Sequence, residues 1–208
     1  MSIAISVLLV VIIVVILIII QYQIEGEKNM PYQLSKITII STAEGEQNTE
    51  NPEESSKWNL SVNQNNDVYI YIEKNDDYKK QETIKNVKLE NITIAEKPEV
   101  GEIKIYKPIS NDSVLFENKD ENIVNELEFK GAKSTDAKKL EISNQGGVLI
   151  FRCANNNIGT YTSNDDAEIN YNNLINKLNI EESSLISKIK FNIKITLNSG
   201  KVFSADNV

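Results

Sequence analysis

Cys153 is the single cysteine of this chain, and the single arginine, Arg152, stands next to it. A thiol beside a guanidinium is part of the equipment of membrane-anchored β-barrel transpeptidases, but that chemistry also uses a histidine, and the sequence has none. Neighbouring residues of a strand project to opposite faces, so Arg152 and Cys153 are not expected to meet one substrate. Cys153 is in phase with Leu149 and Phe151, which makes it a small core residue. The lack of histidine also removes Ser-His-Asp catalysis, His-based zinc sites and the usual general base near neutral pH.

Hard oxygen ligands occur in two runs. Asn164, Asp165 and Asp166 with Glu168, and separately Asn75, Asp76 and Asp77, place carboxylates and amides in expected loops, as a calcium ion requires. Neither run has the glycine and terminal glutamate of a twelve-residue calcium loop, and Asp165 with Glu168 three residues on already reads as a helix-capping box. No metal and no cofactor is therefore assigned. Gly146-Gly147 is followed by neither a lysine nor a helix, so no phosphate loop is present. Carboxylate pairs and Ser/Lys pairs remain open as the basis of a hydrolase, because their spacing is a property of the fold. Tyr69 and Tyr71 share one face of an expected strand and form a possible contact surface, with cross-strand packing as the alternative.

These residues must be positioned by alternating strands. Ile37 and Ile39 read as a first strand, followed by a polar loop from Ala43 to Ser56. Trp58 to Val62 and Val68 to Ile72 read as a hairpin closed by Asn63 to Asp67. Val87 and Leu89 are out of phase with Ile92 and Ile94, which calls for a β-bulge near Glu90-Asn91. Ile103 and Ile105 form a strand stopped by Pro108, suited to an edge. Shorter strands are expected around Val114 to Phe116, Leu127 to Phe129, Leu140 to Ile142 and Val148 to Cys153, with Gly146-Gly147 turning between the last two and Asn155 to Asn157 closing a hairpin into Ile158 to Thr162. Tyr171, Leu174, Ile175 and Leu178 fall at helical spacing. Ile189 to Leu197 alternates most regularly, and Asn198-Ser199-Gly200 turns the chain into Lys201 to Ser204. The pattern predicts an all-β body, an antiparallel β-sandwich or jelly-roll-like domain with one late α-helix.

Ahead of this body lies an apolar run from Ile3 to Ile20, interrupted only by Ser6. Eighteen residues of helix span about 27 Å, the thickness of a bilayer's hydrocarbon core. Its apolar surface runs all the way round, through Ile3, Val7, Leu8, Val11, Ile12, Val15, Ile16, Ile19 and Ile20, and no small-residue cleavage site follows. A single-pass signal anchor is expected at 1–24, a short tether at 25–33 and an extracytoplasmic domain at 34–208, with a possible seam near 108–111. Lys28 and Lys36 after the run lean toward a cytoplasmic body, but long domains cross largely regardless of charge, so the expected topology is N-terminus in, C-terminus out. The missing basic flank points to a true start upstream of Met1.

With 22 Lys and Arg against 30 Asp and Glu, the chain carries a formal charge of −8. An acidic body repels nucleic acid and anionic membrane surfaces. One cysteine allows no intramolecular disulfide. Lysine-dominated basic residues and abundant Asn and Ile match the codon bias of an AT-rich bacterial genome, and the layout resembles membrane-tethered β-domain proteins of Gram-positive bacteria, a likeness that assigns no role to any residue. The expected function is a membrane-anchored binding or envelope-assembly module with a protein or cell-envelope partner. A surface hydrolase and a structural subunit of an envelope or secretion complex are the alternatives.

Overall fold

The computed structural model describes residues 30–47, 58–80, 82–109, 114–133, 137–163, 174–206 and 208. The expected anchor at 1–24 and most of the tether lie outside them, and no helix among the described residues is long and apolar enough to cross a membrane. Among the described residues the body is all-β: two four-stranded antiparallel sheets with one short α-helix. Strands β1 (Tyr32–Gln47), β2 (Trp58–Lys74), β6 (Gly146–Ser163) and β4 (Glu102–Tyr106) lie side by side, in that order, in the first sheet. Strands β5 (Leu127–Lys130), β3 (Ile84–Glu96), β7 (Lys188–Leu197) and β8 (Val202–Ala205) form the second.

Period-two patterning builds the main core. Val68, Ile70 and Ile72 of β2 with Leu149, Phe151 and Cys153 of β6 point at Val87 and Leu89 of β3 and at Phe191, Ile193 and Ile195 of β7. Phe151 and Phe191 meet edge to face across the two sheets, with ring centroids 6.1 Å apart. Burying each side chain of this size stabilises the fold by about 1.5–3 kcal/mol. The bulge expected in β3 is present: its pairing with β7 slips between Glu90 and Thr93, and Asn91 takes a φ of 54°. That slip lets Val87, Leu89 and Ile92 all reach the interior.

Elsewhere the turn signals are overridden. Asn63 to Asp67 does not close a hairpin, because β2 runs unbroken for 17 residues. Asn155 to Asn157 does not close one either, and β6 continues for 18. The two asparagine runs face each other as irregularities in one long ladder: Val62 pairs with Gly159 and Gln64 with Asn155, leaving Asn63 opposite Asn156 to Ile158. Asn157 adopts a φ of 56°, a conformation asparagine tolerates well, its N–H donates to Asn63 Oδ1 at 2.9 Å, and its Oδ1 accepts from Ser61 Oγ at 2.7 Å. The expected loop from Ala43 is likewise strand through Gln47, because its backbone pairs with Leu60 to Gln64 of β2 whatever its side chains. Residues 114–116 are not a strand, and Leu140 to Ile142 contributes only an isolated bridge from Ile142 to Gly131.

A second, smaller core forms where the long β2–β6 ladder extends beyond the other sheet. Helix α1 (Leu174–Lys177) covers it, placing Leu174 against Val62 and Ile158, with Ile175, Leu178 and Leu185 around them. The helical spacing read from Leu174, Ile175 and Leu178 thus marks the residues that pack here, while Tyr171 and the Asp165/Glu168 cap lie outside the described residues.

Candidate functional site

A groove with a volume of about 420 Å³ opens at the β1 side of the two sheets. Its walls come from Ile37 and Ile39 of β1, Phe151 and Cys153 of β6, and Ile186 and Ile189 at the entry to β7. The cause is geometric. β1 continues the first sheet outward, and the middle of its inward face, at Ile37 and Ile39, looks onto solvent, while Ala43 farther along packs at the helix-covered core. Ile37 is 46% exposed, Ile39 59% and Ile186 62%, in a molecule whose other inward-facing isoleucines, such as Ile70 and Ile195, are buried.

The strand bearing those isoleucines is also an open edge. β1 is 16 residues long and pairs only with β2, so among the described residues nothing bonds to its outer side. The remaining edges are treated differently. β4 is 5 residues long and is capped by Ile123 bridging to Tyr106, with Val124 N–H donating to Ile105 O at 2.9 Å. β5 and β8 are each 4 residues long. Short or covered edges are the usual protection against stray strand pairing, and between Tyr32 and Ala43 β1 has only Lys36 and the register slip between Leu34 and Lys36 to provide it.

Tyr69 and Tyr71 lie on the opposite, outward face of the first sheet. Tyr69 stands between Thr38 and Ile150, and Tyr71 between Lys36 and Val148. The ammonium of Lys36 sits 5.8 Å from the Tyr71 ring centroid. Burial in the sheet surface, reinforced by the Asp67 carboxylate, pushes the Tyr69 phenol above its ordinary pKa. The two tyrosines therefore flank the β1 edge without entering the groove.

Arg152 and Cys153 part company as strand geometry requires. Cys153 faces the core, and burial pushes its thiol up to about 12. Arg152 turns outward and grips Asp67 with both ends of its guanidinium, at 2.6 and 3.1 Å. Phe116 lies over it at 4.8 Å, and Asn118 accepts from it at 3.3 Å. The cluster holds the segment before β5 down on the first sheet. Asn75 is spent on a turn: its Oδ1 accepts from Asp77 N–H at 3.0 Å and its amide donates to Met30 O. Asn164, Asp165, Asp166 and Glu168 lie outside the described residues, as do the anchor positions Ile3, Val7, Leu8, Val11, Ile12, Val15, Ile16, Ile19 and Ile20. Among the described residues no three metal-ligating side chains come together.

Sequence reasoning did not single out Ile37, Ile39, Ile40 and Ile186 as a surface. One signal was available: Ile39 and Ile40 are adjacent apolar residues in an alternating strand, so both faces of β1 carry isoleucine.

Fold and surface together define an all-β protein of two antiparallel sheets in which, among the described residues, one long edge is left unpaired above an apolar groove. Comparison with protein-family models, with curated proteins and with solved structures found no match.

Proposed function

We propose that this chain is a membrane-anchored binding or envelope-assembly module: a single transmembrane helix at the N-terminus carrying a β-sandwich that acts by contact outside the cytoplasm. What carries the reading is the exposed isoleucine row of β1 beside the groove. An apolar surface of this kind on an otherwise charged body marks a place where another surface docks. The apolar run Ile3 to Ile20 supports the anchor, and the acidic composition supports a protein or cell-envelope partner over nucleic acid.

A structural subunit of an envelope or secretion complex is the second reading, favoured by the bare edge of β1, since strand addition is a common way of joining subunits. A hydrolase would need turnover that disappears when one carboxylate, serine or lysine is changed without loss of folding.

The test is capture of neighbouring chains by the tagged full-length protein, solubilised gently from its own membranes. Ile39→Glu would place a charge in the contact and should lower capture at least about tenfold, whereas Val202→Glu, on an exposed residue of β8, should leave it unchanged. Equal capture by wild type and Ile39→Glu would overturn the contact reading.

A further inference from the structure

We propose that the occupant of the β1 edge is a second copy of this chain, added antiparallel across a two-fold axis at Ile40, so that the first sheets of two molecules join into one. The inference deepens the contact reading and rests on it.

The β1 edge is complementary to itself. Opposed residues in an antiparallel pair share a face, so a two-fold at Ile40 sets each β1 residue against a definite partner. On the outward face Lys36 meets Glu44 of the second copy, Thr38 meets Thr42, and Ile40 meets itself. On the groove side Ile37 meets Ala43, and Ile39 meets Ser41. Opposite-charge, threonine and β-branched apolar pairs are the cross-strand combinations that stabilise antiparallel sheets. Lys36 and Glu44 are both exposed in the single chain, and the two-fold forms their ion pair twice.

Shifting the register by two residues weakens the match. A centre at Ile39 sets Lys36 against Thr42 and loses the charge pair; a centre at Ser41 keeps one, Lys36 with Glu46, but sets Thr38 against Glu44, Ile37 against Gly45 and Ile40 against Thr42. Only the Ile40 centre keeps opposite charges, both threonines and an Ile–Ile contact together. It also brings Ile37 of one copy beside Ala43 of the other, which packs at the rim of the helix-covered core.

Cysteine scanning in the full-length chain, purified in detergent and oxidised gently, tests the register directly. Cys153 is buried and does not compete. Ile40→Cys brings two sulfurs face to face within disulfide reach, while Thr38→Cys leaves its two Cα atoms about 13 Å apart along the strand, beyond that reach. The expected result is a covalent dimer with Ile40→Cys, formed at least about tenfold faster than with Thr38→Cys, and a dimer on mixing Lys36→Cys with Glu44→Cys. A monomeric Ile40→Cys, or equal cross-linking at Thr38 and Ile40, would overturn the proposal. If Ile40→Cys stays monomeric while Ile39→Glu still abolishes capture of other chains, contact through β1 stands and the second copy is excluded.

Discussion

At the scale of single residues, the only arginine of the chain shows how much one polar cluster can organise. The Arg152 side chain is 12% exposed and that of Asp67 17%, and their two-pronged contact is the base on which Phe116 and Asn118 rest. Asn118 in turn donates to the buried Asn65 at 2.9 Å. Asp67→Ala strands a largely desolvated guanidinium, and we expect a loss of about 2–3 kcal/mol in urea unfolding, below the full cost of breaking a buried pair because both groups keep some water. Asp67→Ala combined with Arg152→Met should recover most of that loss. If the single variant unfolds at the wild-type midpoint, the cluster has no part in holding the segment before β5. The outward direction of Arg152 was legible from the sequence, because strand alternation forces it opposite Cys153. Its partner Asp67 was not, because the two meet only through the β2–β6 register.

At the scale of elements, the legible parts were those where hydrophobic period alone decides. β7 and the β3 bulge follow from phase, since a buried face can be read residue by residue. The long β2 and β6 strands were not legible, because asparagine favours turns when read locally and serves equally well at a bulge when a facing strand supplies the ladder. Asn63 is the residue that decides between these outcomes here. It is buried, and its side-chain oxygen takes the Asn157 N–H. Asn63→Ala leaves that donor short of a partner, and we expect about 1–2 kcal/mol lower stability in chemical denaturation. Asn63→Asp, which keeps the acceptor, should lose less, and equal losses would show that the hydrogen bond does not hold the bulge. The candidate surface escaped sequence reading for a similar reason: whether Ile37 and Ile39 are covered depends on how far the second sheet extends, which the local pattern of β1 does not encode.

At the scale of the molecule, one asymmetry governs the account. Among the described residues three sheet edges are short, two of them partly covered, by Ile123 and by Ile142, while the fourth is 16 residues long and lies above the apolar groove. A strand of that length and composition is a hazard for a protein that works alone and a means of joining for one that assembles. The all-β body was legible because alternation recurs along the chain; which edge stays bare was not, because sheet order arises from pairings between residues far apart in sequence. The most direct measurement is backbone hydrogen exchange over Lys36 to Thr42 in the full-length protein, in its own membranes and then diluted in detergent. The account predicts that the outward-pointing amides of β1 exchange at least about tenfold more slowly in the membrane, while those of the central strand β7 keep the same rate in both. Equal exchange of the β1 amides under the two conditions would contradict it.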